Sequence, residues 1–216
     1  MCGIAGLYNF NNESQVRENE LIKMRDSLIH RGPDSGGIFI SRNGKVGLGH
    51  RRLAIIDLSP AGAQPMANED GTIQIVFNGE IYNFKPLREE LIKKGHSFRS
   101  KTDTEIIIHS YEEYGPKCVE KFNGMFAFAL WDEKKQIIFA ARDHLGIKPF
   151  YYAIQNGSFY FGSEIKAILS HPNFKKNLNE ENIPLYLTFS SLPAPHTLFK
   201  DIKKLPAAHH LTIDRN

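Results

Sequence analysis

At 216 residues, with 41% apolar and 24% charged side chains, the chain has the make-up of an ordinary soluble globular protein, long enough for one large domain or two small ones. A formal charge of +3 without a dense Lys/Arg run argues against nucleic-acid binding. Two cysteines, Cys2 and Cys118, are too few for a disulfide framework, and neither a signal-peptide core nor an apolar run of roughly 18–20 residues occurs, so the reading is a cytoplasmic protein with no membrane partner.

Residues 2–10 are apolar and small until Asn11-Asn12, and read as a buried strand beginning almost at the first residue. Such a strand holds the terminus inside the fold. Val16, Leu21, Met24 and Leu28 give residues 13–29 helical periodicity, ending before the turn-rich His30-Arg31-Gly32-Pro33-Asp34. Two short strands, 37–41 and 45–50, flank Arg42-Asn43-Gly44. An apolar run headed by Arg51-Arg52 follows, then a loop over 59–65 and a strand over 73–77 that runs into Asn78-Gly79-Glu80. Residues 84–94 form a helix closed by Gly95, and Thr102-Asp103-Thr104-Glu105 reads as the start of another, which carries Ile107, Tyr111 and Tyr114 inward and stops at Gly115-Pro116. Strands 126–131 and 136–141 make a second hairpin, and strands 150–154 and 158–162 a third around Asn156-Gly157. From Ser170 onward the character changes, and residues 205–216 read as a connector without a closing element. Hairpins dominate and helices do not alternate strictly with strands, which predicts antiparallel sheets with helices packed outside, an α+β fold.

Cys2 stands out chemically. Once Met1 is removed, this residue carries both a thiol and a free α-amine. The thiolate is the stronger nucleophile, and an α-amine with an ordinary pKa of about 7.7–8.0 can act as its adjacent base. Many second-position cysteines have no such role, so the rest of the chain has to supply the site. Asn-Gly is a strong hairpin signal, yet Asn78-Gly79 leads towards a helix rather than a partner strand. An asparagine amide beside a glycine N–H makes a two-donor oxyanion hole. Arg52, in apolar company, suits a bidentate grip on a carboxylate, with a solvated edge charge as the plainer reading. Asp103 reads first as a helix cap, and second as the partner of a substrate ammonium. Nine histidines are spread without zinc-like spacing, so no metal site is expected; His209-His210 reads as a surface pair. Cys118 reads as a buried small hydrophobe. Asp143-His144 suggests a dyad, but nothing nearby completes one, and a structural loop is expected.

The strings Cys2-Gly3-Ile4, Arg31-Gly32-Pro33-Asp34, Arg52-Leu53-Ala54-Ile55-Ile56-Asp57, Asn78-Gly79-Glu80-Ile81-Tyr82-Asn83 and Arg142-Asp143-His144-Leu145-Gly146-Ile147-Lys148-Pro149 resemble, in order and spacing, the glutaminase domain of glutamine-hydrolysing asparagine synthetases. Phe122-Asn123-Gly124-Met125-Phe126 and Gly162-Ser163-Glu164-Ile165-Lys166 also fit. The resemblance implies an N-terminal-nucleophile hydrolase fold, a four-layer αββα sandwich of two antiparallel sheets. It implies that Cys2 attacks the side-chain amide of L-glutamine, with Asn78 and the Gly79 N–H on the oxyanion. Arg52 would hold the substrate α-carboxylate, Glu80 and Asp103 its α-ammonium, and the backbone of Leu53, Ala54, Ile55 and Ile56 would line the pocket.

Family members continue into an ATP-using synthetase domain with a Ser-Gly-Gly-x-Asp-Ser loop, a string that does not occur here. The expectation is therefore a domain core over 1–170, with 171–216 as its end and a connector. No cofactor is expected in this chain, ATP and Mg belonging to the synthetase domain; a homodimer is allowed for. Two alternatives stand beside this reading: an N-terminal-nucleophile hydrolase acting on another amide, and a catalytically silent partner module. Arg52 with Asp103 suits a free zwitterionic amino acid, which disfavours the first. The complete set of site positions disfavours the second, unless Met1 is retained and the Cys2 nitrogen stays an amide.

Overall fold

The computed structural model describes residues 1–55 and 59–215. In chain order the elements are β1 (Gly3–Asn9), α1 (Glu18–Asp26), β2 (Ser35–Ile40), β3 (Val46–Arg52), β4 (Met66–Ala67), β5 (Ile73–Ile81), α2 (Phe84–Lys93), α3 (Thr104–Tyr114), β6 (Gly124–Asp132), β7 (Ile137–Arg142), β8 (Tyr151–Gln155), β9 (Ser158–Gly162), α4 (Ile165–Leu169), α5 (Ile183–Phe189), β10 (Ile202–Lys204) and β11 (His210–Ile213). One sheet has the order β10-β8-β9-β1-β3-β2 and the other β11-β7-β6-β5-β4, with every pairing antiparallel.

Side-chain alternation stacks these sheets face to face. Along β1, Ile4 and Tyr8 join Val46, Leu48, Val76, Trp131 and Phe161 in a core between the sheets. The intervening Ala5 and Leu7 point the other way, into a core with Leu21, Met24 and Leu28 on and just after α1 and Ile168 of α4. On the second sheet Ile75, Phe77, Phe126 and Phe128 turn outward against Leu87, Leu91, Ile107 and Tyr111 of α2 and α3. A strand alternates faces with period two, so one sequence pattern builds two interfaces. The result is four layers, helix–sheet–sheet–helix, as expected. Phe126 and Trp131 are both buried but belong to opposite faces of β6, which is covered on both sides.

The first helix is shorter than its periodicity suggests. The Val16 N–H donates to the Gly44 carbonyl at 2.7 Å, so the chain before Glu18 is held by the β2–β3 turn instead of coiling. At the third hairpin Asn156 and Gly157 both have positive φ (52° and 72°), as the tight primed turn requires. Cys118 is fully buried, and burial pushes its thiol up to about 12. The tail differs from the connector expected. β10 pairs with β8 and β11 with β7, giving each sheet an edge strand, and Leu205, Leu211 and Ile213 pack on the inter-sheet core. These strands are three and four residues long, too short to announce themselves by periodicity. Among the described residues no helix is long and apolar enough to cross a membrane.

Candidate active site

Because β1 is flanked by β3 and β9 and starts at Gly3, Cys2 is fixed at the edge of the inter-sheet core. Gly3 is required there, since a Cβ on it would lie 2.8 Å from the Leu28 Cβ. The Cys2 carbonyl accepts from Arg31 Nε at 3.0 Å, and Arg31 is ion-paired to Glu164 at 3.0 Å. The Cys2 thiol lies against the end of β3, 3.4 Å from the Leu53 nitrogen and 3.6 Å from its carbonyl oxygen. Asp34 Oδ2 accepts the next N–H, that of Ala54, at 2.8 Å. The Arg31-Gly32-Pro33-Asp34 string thus secures both the Cys2 backbone and the segment facing its sulfur. Burial raises the thiol pKa above its ordinary value, against the lowering effects of the Leu53 N–H and of Arg52. At neutral pH this sulfur rests as a thiol.

Opposite it stands β5, whose neighbour β4 covers only its first part, with Met66 against Ile75. Beyond that point the strand edge is uncovered, and its outward N–H groups need other partners. The Phe77 N–H donates to Gln64 Oε1 at 2.7 Å, and the Ile81 N–H to Asp103 Oδ2 at 2.8 Å. Gly79 lies midway between them with the same parity, so its N–H points the same way, with no protein acceptor among the described residues. Asn78 has the opposite parity and, like Val76, faces the inter-sheet side; it is 1% exposed, and its Nδ2 has no hydrogen-bond partner among the described residues. Asn78 and Gly79 are therefore part of a strand, paired with Ala127 and Phe126 across β6, rather than a turn after one.

Cys2, Arg52, Leu53, Ile55, Asn78, Gly79, Glu80 and Asp103 all line one pocket of about 100 Å3. Ala54 is not among its lining residues, and Ile56 lies outside the described residues. Arg52 donates to the Ser59 carbonyl at 3.0 Å, and its guanidinium occupies the space that a Cβ on Gly62 would need. Asp103 corrects the sequence reading. It stands at the N-cap position of α3, yet its side chain makes no capping hydrogen bond and reaches across to Ile81. Burial pushes its carboxyl up to about 6, with the Ile81 N–H opposing that shift and Glu80 adding to it.

Among the lining residues that the sequence reading did not assign to the pocket, Gln64 and Lys148 matter most. Gln64, in a stretch read only as loop, anchors Phe77 and donates to Thr104 Oγ1 at 3.2 Å. Lys148, 6% exposed, was visible only as a letter in a family string. Asp143 places it: this fully buried carboxylate accepts the N–H groups of Phe126, Leu145, Ile147 and Lys148. That is a loop-organising role, as expected, and not half of a dyad. Met1 precedes Cys2 in this chain, with its sulfur 3.4 Å from Lys148 Nζ.

The profile of the family described as "Glutamine amidotransferase domain" matches residues 1–216. The chain is 42% identical over 219 residues to asparagine synthetase [glutamine-hydrolyzing] 3 of Bacillus subtilis, covering 100% of this chain and 35% of that protein. It is 43% identical over 232 residues to putative asparagine synthetase [glutamine-hydrolyzing] 2 of Methanocaldococcus jannaschii, covering 99% and 44%. It therefore spans less than half the length of either relative. Among solved structures, glutamine phosphoribosylpyrophosphate amidotransferase from B. subtilis superposes with a TM-score of 0.66 at 20% identity, over 78% of this chain and 43% of that one. The αββα layering is accordingly a fold shared with that amidotransferase. With a cysteine at the head of a central strand and the family profile matched over its whole length, the chain belongs to the glutamine amidotransferase domain family.

Proposed function

We propose that this domain hydrolyses the side-chain amide of L-glutamine to glutamate and ammonia. One observation carries the reading: the Asn78 Nδ2, without a partner among the described residues, and the outward Gly79 N–H share a pocket with the Cys2 sulfur. That is the donor pair an acyl-transfer oxyanion needs. After removal of Met1, the freed α-amine takes the thiol proton as sulfur attacks the amide carbon. The resulting oxyanion is held by Asn78 Nδ2 and the Gly79 N–H. Collapse breaks the C–N bond, and the α-ammonium returns its proton to the departing ammonia. Water then attacks the thioester, with the amine again taking a proton, and glutamate leaves as the thiol re-forms. Arg52 is assigned the substrate α-carboxylate, and Asp103 with Glu80 its α-ammonium. Leu53 and Ile55 would bracket the side chain.

The relatives' names support asparagine as the final product, with the ammonia passed to an ATP-dependent step acting on aspartate in a part of the protein outside the stretch matched here. Two free cysteines suit the cytoplasm. The test is intact mass and glutamate release before and after 6-diazo-5-oxo-norleucine. Loss of Met1, one stoichiometric adduct on Cys2 and no activity in Cys2→Ala are expected. Substantial glutamate release by Cys2→Ala removes the nucleophile assigned here.

A further inference from the structure

Along one face of α3 the fold gathers a second constellation, remote in chemistry from the amide pocket. His109 and Glu112 stand three residues apart on one helical face, and His96, from the segment after α2, comes over them. One ligand atom from each of these three residues lies within 4.8 Å of the others. Glu112 Oε2 is 2.8 Å from His109 Nδ1 and 3.6 Å from His96 Nδ1. The other oxygen of Glu112 is held by Asn68 Nδ2 at 2.8 Å.

Each imidazole is backed on its far nitrogen by carboxylate. His96 Nε2 is 3.4 Å from Glu113 Oε2, while His109 Nε2 is 3.7 Å from Glu69 and 3.8 Å from Glu105. A carboxylate behind a histidine fixes the tautomer that leaves the opposite nitrogen's lone pair for a metal. His109 is 1% exposed, and with its Nε2 turned to Glu69 and Glu105 its Nδ1 is the ring atom that faces Glu112. Glu69, Glu105, Glu112 and Glu113 meet the two imidazoles and Lys94, whose Nζ is 2.7 Å from Glu113.

We infer that His96, His109 and Glu112 form a binding site for a divalent transition-metal ion of the zinc class. Two imidazoles and one carboxylate are a ligand set that zinc accepts, with a fourth position left to water. Bound there, the ion ties the segment carrying His96 to α3. Glu105 extends the connection, because it also accepts the Arg99 and Ser100 N–H groups just before Asp103. The thirteen-residue separation of the two histidines is no recognised zinc spacing, which is why the sequence did not show them as a pair.

The experiment is calorimetric titration of Zn2+ into tag-free, EDTA-stripped domain, with metal content measured after dialysis. One equivalent is expected. Affinity should fall at least about tenfold in His96→Ala and Glu112→Gln, and about 10–100-fold in Glu113→Gln through the lost backing carboxylate. His96 is only half-buried, so its variant keeps the fold, checked by circular dichroism. Zinc should raise the Tm of the parent and not that of His96→Ala. Absence of binding overturns the inference. So does binding unchanged in both His96→Ala and Glu112→Gln, or binding abolished only when the exposed pair His209 and His210 is replaced.

Discussion

Replacing Gln64 by Met separates the oxyanion assignment from general stability. The side chain is nearly isosteric and 9% exposed, and its Oε1 is the acceptor for the Phe77 N–H at 2.7 Å. Methionine fills the space but accepts only weakly, leaving a buried N–H unsatisfied at a cost of about 1–3 kcal/mol. For a chain of this size that is a Tm decrease of about 2–4 °C per kcal/mol. The larger consequence falls on the neighbouring N–H. Gln64 and Asp103 pin β5 on either side of Gly79, so releasing one pin lets the Gly79 N–H swing from its aim. Outright loss of an oxyanion donor costs about 10²–10³ in kcat, and a misdirected one should cost about tenfold, with KM for glutamine little changed. Glutamate release is followed by a coupled dehydrogenase assay at a temperature where both proteins remain folded. A lower Tm with unchanged kcat would refute the claim that the uncovered edge of β5 sets the oxyanion geometry. A lower Tm with raised KM would move Gln64 to substrate binding.

Asp103→Asn carries a pH signature. A carboxyl raised to about 6 in the folded chain favours its protonated native form, so its contribution to stability is present below the ordinary 3.8 and lost as pH rises through about 6. The variant should therefore be more stable than the parent by about 1–3 kcal/mol at pH 7.5 and indistinguishable at pH 3.5 in urea melts. The parent's kcat/KM should fall below pH 6 as the carboxylate is lost, and in the variant that limb should be absent with KM raised throughout. Asp143→Asn, which trades a four-N–H carboxylate for an amide, should destabilise by about 3 kcal/mol and raise proteolysis in the loop bearing Lys148. Leu21→Ala opens a cavity between α1 and the first sheet and should cost about 2–5 kcal/mol with glutaminase kinetics unchanged. A loss below 1 kcal/mol would show that the layer collapses around the gap.

Local pattern carried much of this protein. The short apolar runs of β1, β5, β6 and β9, bounded by turn residues, and the helical spacing of α2 and α3 are legible because each depends only on neighbours close in sequence. The chemistry of Cys2 was equally local, since thiol and amine sit on one residue, and the Asn78-Gly79 pair sits in one short string. Tertiary structure decided everything that depends on which edges remain uncovered and which distant segments meet. That the Gly79 N–H is available follows from β4 beginning only at Met66, opposite Ile75, a fact about pairing that no residue in β5 encodes. Asp103 caps nothing because β5, itself short of a partner strand at Ile81, offers its carboxylate an N–H. Lys148 enters the pocket on a loop folded by Asp143, and His96 meets His109 only because α2 returns alongside α3. The last two strands, β10 and β11, were hidden for the same reason. Segments of three and four residues have no period to read, and they become strands only when a sheet edge supplies their hydrogen bonds.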